Sequence, residues 1–71
     1  MSITFNADEI FEMAEEMERT GAIFYRKAAQ NTSDSQAKQL LLDMADMEDK
    51  HLQVFQQMRA QLSDQEKEEN T

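Results

Sequence analysis

Glu48 and His51 are two ionisable residues in the middle of an otherwise apolar helical stripe. The stripe recurs at alternating intervals of three and four residues, the spacing of one face of an α-helix, and consists of Leu41, Met44, Glu48, His51, Phe55, Met58 and Leu62. Burying a charged group is costly unless that group is paired or binds a metal. A carboxylate and an imidazole one turn apart on an inward-facing helix commonly hold a metal in a helix bundle. The spacing therefore predicts that Glu48 and His51 bind iron, manganese or zinc.

Glu18 is a third candidate ligand, because it too interrupts an apolar stripe. Its neighbours on that stripe are Phe11, Ala14, Gly21, Tyr25 and Ala28. Glu18 lies 15 residues before Ser33 and Glu48 lies 15 residues after it. Two antiparallel helices that turn at Ser33 would place both carboxylates at the same height, roughly 22 Å from the turn. The chain is therefore expected to bring Glu18, Glu48 and His51 together.

The elements that must position these residues are two long helices. Asn6 as N-cap, with Glu9 three residues later, predicts helix 1 over about 7–30. The turn-forming residues 31–35 separate it from helix 2, predicted over about 34–62, with a second capping box of Ser33 and Gln36. Residues 1–62 are thus predicted to form a helical hairpin, and 63–71 a polar acidic tail.

Helix 1 carries two overlapping apolar faces. One contains Ile10, Ala14, Met17, Gly21, Phe24 and Ala28, and the other is the stripe around Glu18. A lone hairpin cannot bury so wide an apolar surface. The expected fold is all-α: an antiparallel hairpin that assembles into a four-helix bundle with a second hairpin. That second hairpin is either another copy, giving a homodimer or higher even-numbered oligomer, or a continuation of a longer chain.

Composition narrows the function classes. The 71 residues include no Cys and no Pro, and their formal net charge is −8. The absence of Cys excludes disulfides and thiolate metal sites, and the negative charge argues against non-specific nucleic-acid binding. No apolar run has the length of a membrane span, so a cytoplasmic location is expected. Other acidic residues are expected to be solvated, namely Glu9, Glu12, Glu15 and Glu16 on helix 1 and Asp43, Asp46 and Asp49 on the outer face of helix 2.

The combined pattern resembles the rubrerythrin branch of the ferritin-like superfamily. The residues that carry the resemblance are the segment from Met17 to Tyr25, Met-Glu-Arg-Thr-Gly-Ala-Ile-Phe-Tyr, and the segment Glu-Asp-Lys-His at 48–51. The resemblance implies that Glu18, Glu48 and His51 are iron ligands, with manganese or zinc as substitutes. It also implies that Tyr25 hydrogen-bonds a ligand carboxylate, and that a di-iron centre reacts with peroxide or oxygen.

The chain departs from that family pattern in having one hairpin where rubrerythrins have two. It also lacks the cysteine-ligated iron domain that many of them use for electron delivery. In this it is similar to encapsulated ferritins, which build the iron site between subunits, or to the first half of a rubrerythrin-like domain. The implied protein is a ferroxidase or peroxide-reducing enzyme with two irons per dimer, whose electron donor or storage-shell partner is unidentified and which could reside inside a protein compartment. The alternative is a metal-free dimerisation hairpin whose buried Glu–His pair sets the register.

Overall fold

The hairpin consists of two packed antiparallel helices. The computed structural model describes residues 5–69, with side chains as far as residue 62. Helix α1 spans Ala7–Gln30 and helix α2 spans Ser35–Glu69, with a short connection between them. The predicted all-α hairpin is therefore confirmed.

Helix α1 begins as its sequence predicts. The Asn6 side chain accepts a hydrogen bond of 2.8 Å from the backbone N–H of Glu9, which satisfies one of the free donors of the first turn. Asp8 and Glu9 lie in that turn and Lys27 in the last, where each charge complements the helix dipole.

Helix α2 differs from the prediction at both ends. Asp34, not Ser33, caps its start: Asp34 Oδ1 accepts from the Gln36 N–H at 3.1 Å, because Asp34 immediately precedes the first helical residue. The helix also continues to Glu69 instead of ending near Leu62. Residues 63–69 contain no Gly or Pro and are rich in the good helix formers Gln, Glu and Lys, so nothing in them ends the helix. Residues 70 and 71 of the predicted tail lie outside the described part of the chain.

The two helices pack through a pair of stripes that we call the first seams. The first seam of α1 contains Asp8, Phe11, Glu15, Glu18, Ala22, Tyr25 and Ala29, and that of α2 contains Leu41, Ala45, Glu48, Leu52, Phe55, Arg59 and Leu62. Every one of these residues is buried or half-buried. The most buried residues of the seams are three alanines, Ala22, Ala29 and Ala45. Their small side chains let the helices approach closely in the half of the hairpin nearest the turn.

A second stripe on each helix is largely exposed in the hairpin. We call these the second seams: Ile10, Ala14, Met17, Gly21, Phe24 and Ala28 on α1, and Leu40, Met44, Met47, His51, Val54 and Met58 on α2. Their large residues are exposed, Met17 by 73% and Phe24 by 64%. The stripe predicted on helix 2 therefore divides between two seams: Leu41, Glu48, Phe55 and Leu62 belong to the first seam, whereas Met44, His51 and Met58 belong to the second.

Ion pairs join the helices on the side opposite the second seams. Arg26 of α1 contacts Asp49 at 2.5 Å and Asp46 at 3.4 Å. Asp46 is exposed as expected, whereas Asp49 is half-buried because it pairs with Arg26 between the helices. Within the described residues, neither helix contains a stretch long and apolar enough to cross a membrane.

Candidate metal centre

The hairpin brings the three predicted ligands together. His51 Nδ1 lies 3.4 Å from Glu18 Oε2 and 4.0 Å from Glu48 Oε2. One potential ligand atom from each residue falls within 4.8 Å of the other two. Among the residues that the structure describes, this is the group of acidic and histidine side chains compact enough to hold a metal ion.

The helix register produces this cluster. Glu18 and Glu48 occupy the first seams, while His51 lies on the second seam of α2, one turn beyond Glu48. Gly21 lies beside Glu48: a Cβ atom at position 21 would be in ordinary van der Waals contact with the Glu48 carboxylate, 3.5 Å from its carbon. Farther from the turn, the rings of Phe11 and Phe55 pack against each other on the first seams at a centroid distance of 6.3 Å.

The three candidate ligands differ in how far they are buried. The Glu18 and Glu48 side chains are 18% and 23% exposed, whereas His51 is 53% exposed. Glu18 Oε2 is fully buried and has no hydrogen-bond partner. A buried carboxylate oxygen without a donor is costly. An oxygen in this state, beside a second carboxylate and an imidazole nitrogen, fits a site that a cation completes.

The donor set also suits the expected metals. Two carboxylates and one imidazole form an oxygen-rich shell of the kind that iron and manganese accept, and zinc also binds such groups. One hairpin supplies three candidate ligands, Glu18, Glu48 and His51, which is fewer than a site for two metals needs. The half-exposed imidazole and the exposed second seams lie on the same side of the hairpin, so the candidate site is open toward that side.

Tyr25 lies on the first seam two turns after Glu18. Its ring packs edge-on against Phe24, with centroids 5.6 Å apart and an interplanar angle of 71°. Among the described residues, its hydroxyl makes no hydrogen bond to either ligand carboxylate. The predicted bond between Tyr25 and a ligand carboxylate is thus absent within one hairpin.

A second buried carboxylate, Glu15, was wrongly expected to be solvated. It is only 4% exposed, and both its oxygens lie 3.4 Å from Arg59 Nη1, with Arg19 at 3.5 Å. Arg59 also donates to Asp8, at 2.6 and 3.0 Å. The sequence did contain a signal for this pair. Glu15 and Arg59 both lie on the first seams, at positions that face the opposite helix, and two opposite charges placed there are expected to pair.

The ion pairs between the helices shift the pKa values of Asp8, Arg59 and Arg26. The hydrogen bond from Arg59 holds the pKa of Asp8 below its ordinary 3.8. The same hydrogen bond, with the charges of Asp8 and Glu15, raises the pKa of Arg59. The Asp49 carboxylate likewise raises the pKa of Arg26. These pairs join α1 to α2 on both sides of the candidate metal cluster along the hairpin.

Comparison with known protein families gives a match along nearly the whole chain. The family model of rubrerythrin matches residues 2–69. The chain therefore belongs to the rubrerythrin family. No curated protein and no solved structure matches it.

Proposed function

We propose that this hairpin is half of a di-iron carboxylate redox protein, in which Glu18, Glu48 and His51 from each of two hairpins bind the metals. Membership of the rubrerythrin family supports iron as the metal. The observation that carries the proposal is the buried, unpartnered Glu18 Oε2 facing His51 Nδ1 and the Glu48 carboxylate.

Charge balance supports a pair of metals. Two hairpins contribute four carboxylates and two imidazoles from these positions. The four negative charges neutralise two divalent cations while both histidines are neutral. Without metal, the same carboxylates crowd together and repel one another, so binding is expected to be tight enough to stabilise the assembly.

The bound metals would supply electrons for the reduction of peroxide or oxygen. The chain's own residues prepare the site for that chemistry. Glu18 and Glu48 are held by the first seams and provide negative charge in a largely dehydrated place. His51 provides the nitrogen ligand from the open side. Phe11 and Phe55 pack against each other on the side distant from the turn.

Tyr25 has a proposed part that depends on assembly. Within the described hairpin the Tyr25 hydroxyl makes no hydrogen bond to Glu18 or Glu48, so the partner we propose for it is a carboxylate of the opposing hairpin. If it holds a ligand carboxylate, Tyr25→Phe should slow iron oxidation while leaving most metal binding intact. Equal oxidation rates for wild type and Tyr25→Phe would remove Tyr25 from the site.

The experiment that tests the proposal is iron oxidation. Protein is loaded anaerobically with ferrous iron, peroxide or oxygen is added, and the absorbance change is followed. Wild type is expected to oxidise iron faster than buffer does, and His51→Ala to lose that acceleration. Glu15→Gln serves as the matched control, since it alters a buried carboxylate one turn away that is already paired with arginine. If wild type and His51→Ala both match free iron, the redox function is wrong.

The competing function is a metal-free dimerisation hairpin with a structural Glu–His pair. It predicts that metals change neither stability nor assembly, and that His51→Ala weakens association. The half-exposed His51 and the lack of a donor for Glu18 Oε2 favour the metal site instead.

A further inference from the structure

Two methionine thioethers border the open side of the candidate metal centre. Met17 immediately precedes Glu18, and Met47 immediately precedes Glu48. One residue corresponds to a rotation of about 100° in an α-helix, so both methionines lie on the second seams while the carboxylates beside them lie on the first. Met17 is 73% exposed and Met47 is 53% exposed. A small solute that approaches the ligands from the open side therefore meets these two sulfur atoms first.

The two methionines are level with the ligands along the hairpin. Met17 lies 16 residues before Ser33 and Met47 lies 14 residues after it, whereas the two ligand carboxylates each lie 15 residues from Ser33. The heights of the two methionines therefore differ by about 3 Å, with the carboxylates between them. His51 lies four residues after Met47 on the same seam, and side chains at this spacing are neighbours on a helix.

Two other exposed methionines lie away from the ligands and provide a comparison. Met13 is 49% exposed and lies among three glutamates outside both seams. Met58 is 44% exposed on the second seam of α2, seven residues and about 10 Å beyond His51. Their exposure is similar to that of Met47, so any difference in the consequence of modifying them comes from position and not from access.

Hydrogen peroxide oxidises a thioether without a metal or a further reductant. The sulfur attacks one peroxide oxygen, and an S–O bond forms as the O–O bond breaks. The proton of the transferred hydroxyl passes to the leaving hydroxide, which becomes water. Sulfur loses two electrons and peroxide gains them. The product is methionine sulfoxide, a polar side chain that dedicated reductases convert back to methionine.

A sulfoxide at this level would place a hydrogen-bond acceptor on an apolar stripe. Among the residues of the two second seams, His51 alone carries a side-chain hydrogen-bond donor, and the proposed site uses His51 as a ligand. In the proposed function, a second hairpin covers the level of Met17 and Met47 when it contributes its own ligands. Covering an acceptor that has no donor is unfavourable and lowers an association constant by roughly tenfold or more.

We propose that Met17 and Met47 are peroxide-reactive modification sites, and that their oxidation to sulfoxide prevents metal binding at Glu18, Glu48 and His51. The metal-free hairpin exposes both thioethers, whereas the metal-loaded assembly covers them. Peroxide therefore disables chains that have not bound metal and spares those that have, and reduction of the sulfoxides restores binding. The inference rests on the proposed function for the metal site and adds a reversible control of its loading.

Peroxide treatment of the metal-free protein tests the inference. Wild type, Met17→Leu/Met47→Leu and the matched control Met13→Leu are each treated with hydrogen peroxide in the presence of a chelator, and both reagents are then removed. Leucine keeps the apolar bulk of methionine and forms no sulfoxide. Peptide mass spectrometry gives the oxidised fraction at each methionine, and competition with a chromophoric chelator gives the zinc affinity. Zinc is the probe because it has no redox chemistry of its own.

Oxidised wild type and oxidised Met13→Leu are expected to lose at least about tenfold in zinc affinity. Oxidised Met17→Leu/Met47→Leu should keep its untreated zinc affinity, although Met13 and Met58 are oxidised in it. Equal losses in wild type and the double variant, or no loss in wild type, would overturn the inference. Treatment with sulfoxide reductases and a thiol should restore zinc binding to oxidised wild type. This recovery needs no substitution, so its absence contradicts the inference even where the double variant does not fold.

Zinc loading should protect the two methionines selectively. In zinc-loaded wild type, Met17 and Met47 should be oxidised several-fold more slowly than in the metal-free protein, while Met13 reacts equally in both. Unchanged oxidation rates at Met17 and Met47 on zinc loading would contradict the inference. If untreated wild type binds no zinc, the proposed function fails and the inference fails with it. If untreated and fully oxidised wild type bind zinc equally tightly, the inference fails alone.

Discussion

Glu15 and Glu18 are buried carboxylates one helical turn apart on the same seam, yet their surroundings are opposite. Glu15 contacts two arginines, Arg19 and Arg59, and Arg59 also contacts Asp8. Glu18 has a buried oxygen with no donor, and its neighbours are another carboxylate and a histidine. The protein thus pairs the first carboxylate with its own arginines and leaves an oxygen of the second without a hydrogen-bond donor. The proposed function rests on this difference in the groups that face the two carboxylates.

The largest expected effect is metal-dependent stability at the Glu18 cluster. Iron, manganese or zinc should raise the Tm of wild type, because only the folded assembly offers the complete site. At a free metal concentration 1,000 times Kd the gain is about 4 kcal/mol. Glu48→Ala should abolish most of that gain. Thermal unfolding with and without metal measures it, and a wild-type Tm indifferent to all three metals would make the two carboxylates equivalent.

Glu15→Gln should produce the reverse pattern. Loss of the charge-assisted contacts with Arg59 and Arg19 should lower the free energy of unfolding by about 1–3 kcal/mol, because the arginines lose a buried acceptor. The metal-dependent gain should remain. Denaturant unfolding of the metal-free and zinc-loaded proteins separates the two quantities. A variant that keeps its stability but loses metal binding would place the ligand site at Glu15.

Glu18→Gln should stabilise the metal-free protein while weakening metal binding. The substitution removes a buried negative charge beside Glu48 and supplies an amide donor, which is expected to contribute about 1 kcal/mol. The opposite signs of Glu15→Gln and Glu18→Gln are the sharpest form of the comparison. If both substitutions destabilise the metal-free protein equally, the Glu18 oxygen is already satisfied.

Acid titration should reveal the smallest effect, at the Arg59 pairs. Since the Asp8 pKa is lowered in the folded protein, its contribution to stability is fully present above 3.8, the ordinary Asp pKa. That contribution is lost as the pH falls through the still lower folded pKa. The difference in Tm between wild type and Asp8→Asn should therefore be constant at neutral pH and shrink below about pH 3.8. A difference that grows on acidification would contradict the ion pair.

Much of this structure could be predicted from residue spacing. The Asn6 cap, the central turn and the heights of Glu18 and Glu48 all follow from local rules, since helices are regular and the turn is the chain's main interruption. Those rules also explain why the three clustered residues were found. Because every residue of a helix adds the same rise and rotation, counting residues from the turn was enough to place Glu18, Glu48 and His51 at about the same height.

Pairing across the helices was harder to predict. The apolar pattern on α2 was read as one seam, although its residues belong to two. Neighbouring stripes on a helix both follow spacings of three and four residues, so the spacing alone does not separate them. Glu15 was assigned to solvent because charged residues usually lie there. Its burial depends on Arg59, which is far away in sequence and becomes a neighbour only through the hairpin register. The end of α2 was placed too early because a polar segment without Gly or Pro can still be helical.

The measurement that tests the central claim most directly is an anaerobic ferrous-iron titration of wild type, His51→Ala and Glu15→Gln. The account predicts saturable binding of about one iron per chain, two per pair of hairpins, in wild type and Glu15→Gln. His51→Ala should bind far more weakly because its only nitrogen ligand is gone. Binding that is unsaturable, or equal in wild type and His51→Ala, would contradict the claim that Glu18, Glu48 and His51 form a metal site.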